Sequence, residues 1–299
     1  MPDQSQESYA QRLQGEAAIW SANKRTYHAN KRPDWVYLRE LPEYWILRRN
    51  LEQFYNRIRP GDQILELGCG AGCQALEMAR HGANVLALDI AEGALDIAKT
   101  YYAQIKATEG VKGTVTYQVA DVNHMESITD RFDWIVMSGV LHHMPDPPEL
   151  LTRCKRLLKP DGGLFISDPL DTTFFNSLFV GFFLLVLPTN LSYKEKFLRL
   201  VQIRGEAVKR MGVAIEQRGL SPFEGVGRTD FPRDTIAKDF IIERYNEGWG
   251  INGFLAQELN GPRWLQRNLL RLLAPLDWLL VKTHVIRGLR YITIAHPKM

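Results

Sequence analysis

Seven residues constrain this chain more than any others: Glu66-Leu67-Gly68-Cys69-Gly70-Ala71-Gly72, between the strand-like run Gln63–Leu67 and a helical pattern over Cys73–His81. Three alternate glycines let a backbone turn tightly and come close to a ligand that a Cβ would exclude. Strand, glycine turn and helix make the first half of a βαβ unit, so a parallel sheet is expected around them. Asp89 closes the next strand-like run, Asn84–Asp89, where a carboxylate can accept both hydroxyls of a ribose. Glycines alone suit a plain strand–turn–helix connection equally well. Gly70-Ala-Gly72-Cys-Gln-Ala75 also fits G-x-G-x-x-G/A with Asp89 near the expected spacing, so a nicotinamide dinucleotide stays open at this point.

The alternation of strand and helix continues to Pro169. It predicts strands at Thr114–Ala120, Trp134–Ser138 and Gly163–Ser167, with helices over Glu92–Ala107 and Pro148–Leu158. Beyond Asp171 it gives way to an apolar run (Phe174–Leu187), a basic segment (Lys194–Arg210) and a glycine-rich turn (Gly219–Gly227). A helix is then expected over Asp234–Asn246, a sixth strand at Ile251–Glu258, a helix over Trp264–Lys282 and a last strand at Arg290–Ala295. Before the glycine turn, residues 1–16 are polar and expected to fray, and Ile19–Arg59 is aromatic-rich and mostly helical in pattern. The chain therefore divides into an N-terminal helical lid segment (1–56), a core (57–171), a lid insertion (172–233) and a C-terminal completion of the sheet (234–299).

Composition narrows the partners. A chain that is 45% apolar and 24% charged is an ordinary globular protein, and a net charge of +3 implies no nucleic-acid partner. Cys69, Cys73 and Cys154 are too few for a disulfide scaffold and lack zinc-site pairing, so no metal is expected. They read as reduced thiols of a cytoplasmic protein. The N-terminal text has no apolar signal core. The longest apolar run, Leu178–Leu187, falls short of the ~20 residues that cross a bilayer.

Three further stretches discriminate among nucleotide cofactors: Asp121-Val122 after the third strand, Ser138-Gly-Val-Leu141-His142-His143 at the end of the fourth, and Leu158-Lys-Pro-Asp-Gly-Gly163 before the fifth. With the glycine motif and Asp89, they make the region Arg57–Asp171 resemble class I S-adenosylmethionine-dependent methyltransferases, particularly the group of ubiquinone/menaquinone C-methylating enzymes. The resemblance implies a Rossmann-like α/β sheet of seven strands, the last antiparallel, with helices on both faces and a mainly helical lid. It implies that Glu66, Gly68, Gly70 and Gly72 hold the cofactor, that Asp89 takes the ribose and that Ile90 flanks the adenine. Asp121, with Val122, would meet the adenine amino group, and Ser138 would lie near the methyl donor. The expected function is methyl transfer to a small or lipophilic acceptor, at oxygen, nitrogen or carbon. An NAD(P)-dependent oxidoreductase would not need this set, and a non-catalytic binding subunit would be expected to lose the glycines or the ribose acid. Asp146-Pro147-Pro148 lacks the aromatic residue of a base-flipping motif and reads as a turn.

Catalytic candidates are His142, His143 and Asp168, at the strand edge where open α/β sheets bind ligands. The histidines would position the acceptor or take its proton; alternatively they shape the loop. Tyr27 and His28 are weaker candidates in the N-terminal segment. A lid from residues 15–55 and 172–233 is expected to close over the acceptor and exclude water. Peripheral membrane contact is a further expectation, since Arg263, Arg267 and Arg271 recur at four-residue spacing along the apolar stretch Trp264–Lys282, and Lys194, Lys196, Arg199 and Arg204 follow the first apolar run. Burial of both apolar segments, in the lid or against a dimer partner, is the alternative.

Overall fold

The computed structural model describes residues 8–22, 48–170, 173–194, 196, 223 and 232–298. Tyr27, His28 and most of the 172–233 insertion lie outside them. The elements run α1 (Tyr9–Ala22), α2 (Arg48–Tyr55), β1 (Gln63–Leu67), α3 (Cys73–Arg80), β2 (Asn84–Asp89), α4 (Glu92–Thr108), β3 (Thr114–Val119) and β4 (Phe132–Ser138). A 3-10 turn (Leu141–His143), α5 (Pro147–Leu157), β5 (Leu158–Pro169), α6 (Phe174–Val186), α7 (Pro232–Asp239) and β6 (Phe240–Gly248) follow. The chain closes with α8 (Asn252–Glu258), α9 (Arg263–Lys282) and β7 (Arg290–Pro297).

One seven-stranded sheet has the order β3-β2-β1-β4-β5-β7-β6. Every neighbouring pair is parallel except those that β7 makes with β5 and β6. This is the Rossmann-like α/β sheet with an antiparallel last strand that the resemblance implies. Alternate side chains bury on its two faces, as a pleat requires. Leu65, Leu67, Ile135, Met137, Leu164 and Ile166 enter one core, and Ile64, Val136, Phe165, Ile292 and Ile294 enter the other. Burial on both sides explains why the strands read as near-continuous apolar runs.

The elements from β1 to β5 fall close to where the sequence puts them, and three places in the chain differ. Asp146-Pro147-Pro148 is no turn: Asp146 accepts the Glu149 N–H and caps α5, with the prolines in the first turn, where missing N–H groups cost nothing. The helix expected over Asp234–Asn246 stops at Asp239, and Phe240–Gly248 is the sixth strand. Its pairing with β7 steps from Ile242↔Ala295 to Arg244↔Ile294, a bulge at Glu243 that breaks the two-residue alternation and disguises the strand. Conversely, the strand expected at Ile251–Glu258 is α8, because Ile251, Leu255 and Leu259 recur every fourth residue and share one core with α6 and α9. Asp277 of α9 secures this packing by accepting the Ile251 N–H at 2.6 Å. No helix among the described residues is long and apolar enough to cross a membrane.

The N-terminal text is also more ordered than its polarity suggests. Residues 9–22 form α1, which packs on α4 and lends Trp20 to a small cluster with Ala71, Ala91 and Ala94.

Candidate functional site

In an open α/β sheet a ligand binds beyond the carboxyl ends of the strands, where the strand order reverses. Here that point lies between β1 and β4. The Gly68–Gly72 turn leaves β1, and Gly139–His143 leaves β4. All the cofactor candidates gather along this one edge: Glu66 in β1, Asp89 ending β2 with Ile90 after it, Asp121 and Val122 past β3, and Ser138 ending β4.

The glycines are demanded by geometry. Gly68, Gly70 and Gly72 all have positive φ (68°, 53° and 76°), the left-handed region that other residues avoid. A Cβ on Gly68 would collide with the Val140 side chain, and one on Gly72 would meet the Tyr117 hydroxyl. Asp89 ties the turn down: its Oδ2 accepts the Gly70 N–H at 2.7 Å and its Oδ1 accepts the Ala91 N–H at 2.8 Å. Burial raises the Asp89 carboxyl above its ordinary pKa, although the N–H groups of Ala91, Gly70 and Ile90 oppose the shift.

Glu66 is the anomaly of the site. It is buried, and its Oε2 has no hydrogen-bond partner among the described residues. Burial, with the neighbouring charge of Asp89, raises its pKa to about 8, against a hydrogen bond from the Ala75 N–H. At neutral pH the cofactor-free protein thus holds it mainly as the neutral acid.

Two buried histidine–acid pairs stand at the same edge. His142 Nδ1 lies 3.2 Å from Asp168 Oδ1, and Asp168 Oδ2 accepts the His142 backbone N–H at 3.0 Å. His143 Nδ1 lies 3.1 Å from Glu16 Oε1, and the two imidazole rings are 4.0 Å apart. Glu16 also accepts the Trp20 indole N–H at 2.7 Å and the Phe223 N–H at 3.0 Å. Burial alone would raise the Glu16 pKa, but its contact with His143 and these donors hold it below the ordinary value.

Helix α1 thus supplies residues that sequence reasoning missed. Tyr9 donates its hydroxyl to Asp121 Oδ2 at 2.7 Å, and the Asn123 amide donates to Tyr9 Oη and to Asp121 Oδ1. Tyr9, Glu16 and Trp20 fall seven and four residues apart, hence on one face of a helix, which was a readable signal hidden by the expectation of a frayed terminus. Among the described residues no group of three His, Cys, Asp or Glu side chains could hold a metal ion.

Comparison with known proteins agrees with this geometry. Residues 65–166 match the protein family described as Methyltransferase domain. A ubiquinone biosynthesis O-methyltransferase of Coxiella burnetii is 35% identical over 107 residues, covering 36% of this chain and 43% of the relative. The enzyme of the same description from Haemophilus ducreyi is 33% identical over 146 residues, covering 48% of this chain and 61% of the relative. That from Hahella chejuensis is 32% identical over 108 residues, covering 36% and 43%. The chain therefore spans about half the length of the curated relatives it matches.

Proposed function

We propose, on the premise of a methyltransferase domain over residues 65–166, that this chain transfers a methyl group from S-adenosylmethionine to a small or lipophilic organic acceptor. The buried Oε2 of Glu66 beside the glycine turn, without a hydrogen-bond partner among the described residues, carries the reading. A buried carboxyl oxygen without a partner is costly, and a cationic ligand relieves that cost. A cation seated beside Glu66 would favour its charged form over the neutral acid that burial enforces, so the turn suits a ligand with positive charge better than a dinucleotide diphosphate. When bound, the cofactor supplies a methyl group on a positively charged sulfur that is already activated for transfer.

The protein's task is then to bind, orient and keep water out. Asp89 would take the ribose hydroxyls, and Gly68, Gly70 and Gly72 would admit the ligand close to the backbone. Asp121 would accept the adenine amino group while keeping Tyr9, since an ionised carboxylate has about four acceptor sites. Ile90 and Val122 would flank the ring, with Ser138 at the β4 edge. His142 and His143 are the residues to hold or accept an acceptor proton: a carboxylate at each Nδ1 favours the tautomer whose basic lone pair is on Nε2. Asp168 and Glu16 act through them as positioning residues. Cys69, Cys73 and Cys154 form no disulfide among the described residues; our reading places them as thiols of a cytoplasmic protein that reaches a lipophilic acceptor by peripheral contact with a membrane.

Titration calorimetry tests the cofactor assignment. S-adenosylhomocysteine is expected to bind and NADH to give no heat; the opposite result refutes the reading. A second expectation concerns α1. Glu16→Ala leaves three donors without their acceptor and should destabilise the docked helix by ~1–3 kcal/mol. It would appear as faster hydrogen exchange over residues 9–22, whereas unchanged exchange would mean that α1 is held elsewhere. Because the folded pKa of Glu16 is depressed, its contribution is present above the ordinary carboxylate range and is lost as pH falls through the folded value.

A further inference from the structure

Helices α6 and α9 both pack on α8 and both turn an apolar side outward. In α6, Val180 and Leu184 are buried in the shared core, while Leu178, Phe182 and Val186 are 54%, 57% and 60% exposed. These three recur every four residues, so they form one outward stripe, and the helix has no charged residue at all. In α9, Leu270, Asp277 and Val281 face inward, while Trp264, Leu272 and Trp278 are 65%, 75% and 61% exposed.

Charge is sorted along α9 in a way that packing alone does not require. The helix carries Arg263, Arg267, Arg271 and Lys282 but a single acid, Asp277, and that acid is buried against the start of α8. Projected at 100° per residue, Arg267 and Arg271 fall in the same outward arc as Trp264 and Trp278. Lys282 Nζ lies 4.5 Å from the Trp278 ring centroid. The outward side of α9 is therefore cationic and aromatic, and that of α6 is purely apolar.

We infer that the outward sides of α6 and α9 dock the protein on an anionic lipid bilayer. Indole rings and basic side chains with apolar stems partition to the headgroup boundary, where apolar side chains dip into the acyl region. The length of α9, 20 residues with Pro275 inside and no spanning character, suits a helix lying in the interface. A second copy of this chain is the weaker occupant, because a two-fold contact through α9 sets like charges against one another. The surface also adjoins the site: Asp168 lies near the end of β5, and α6 begins at Phe174. This docking surface deepens the proposed function by naming where a lipophilic acceptor would be met, but it does not depend on the cofactor.

Flotation of the full-length protein, without cofactor, on vesicles of equimolar phosphatidylcholine and phosphatidylglycerol decides it. The protein is expected to float with these vesicles at low salt, to float less with phosphatidylcholine alone, and to be released by salt. Arg267→Gln and Arg271→Gln should each weaken partitioning about fivefold. Phe182→Asp should abolish flotation with circular dichroism unchanged. No flotation on the anionic vesicles at low salt overturns the inference, as does flotation indifferent to all three substitutions. A dimer in sedimentation that Phe182→Asp dissociates, with no flotation, assigns the surface to a second copy instead. Calorimetry with S-adenosylhomocysteine on the same variants separates a failed docking surface from a failed methyltransferase reading.

Discussion

Asp89→Ala should weaken S-adenosylhomocysteine binding by about 5- to 150-fold, the ~1–3 kcal/mol expected when a charged acceptor is lost from a buried site. Two effects act together. The ribose hydroxyls would lose their acceptor, and the glycine turn would lose the carboxylate that holds Gly70 and Ala91 through N–H bonds of 2.7 and 2.8 Å. Asp89→Asn separates them in part, because it keeps one of the two acceptor oxygens of the turn, sets an NH2 against the other N–H and gives up the charge. Calorimetry below the melting temperature of each variant measures the loss. If Asp89→Ala bound the ligand as the wild type does, the ribose would lie elsewhere and the cofactor site would have to be redrawn. If Asn recovered stability but not affinity, hydroxyl recognition rather than turn rigidity would be the larger part.

The sequence revealed the sheet edge because its requirements are local. A positive φ at three alternate positions is met without strain by glycine, and the acid that ends the second strand accepts N–H groups of the turns beside it. Both are one-dimensional signals. The C-terminal strands were harder, since the bulge at Glu243 shifts the ladder and spoils the alternation that marks a strand. Helix α8 was misread because a short apolar run cannot be told from a strand until its partners, α6 and α9, are known. The most instructive miss is α1. Nothing local in a polar N-terminal stretch announces that Glu16 will be buried against His143, far along the chain. Long-range ion pairs of this kind exist only once the sheet has brought their partners to one edge. The lid that we propose over the acceptor, from residues 15–55 and 172–233, would rest on contacts of the same kind, such as that of Glu16 with His143.

Glu66 should make the stability of the cofactor-free protein fall as pH rises. Its folded pKa, about 8, lies above the ordinary carboxylate value of 4.5. Between those two values the unfolded chain has released the proton while the folded protein keeps it, so the folded state binds more protons. Unfolding free energy then declines with a limiting slope of ~1.4 kcal/mol per pH unit and levels off above the folded value. The full span amounts to on the order of 4 kcal/mol, among the largest single-group effects a domain can show. Glu66→Gln carries no proton to lose and should flatten the profile over this window, leaving the opposite, acid-side loss from groups such as Glu16 untouched. Urea melts of both proteins at intervals across the window supply the test, and parallel wild-type and Glu66→Gln profiles would show that Glu66 is already ionised in the fold. The same group predicts a ligand signature. A cation seated beside Glu66 stabilises its charged form, so binding S-adenosylmethionine, whose sulfur is positively charged, should release a proton near neutral pH. The observed heat would then vary with the ionisation enthalpy of the buffer in the wild type and lose that dependence in Glu66→Gln. Buffer-independent heats in the wild type would mean that the orphaned oxygen meets no cation, and the acidic turn would need another explanation.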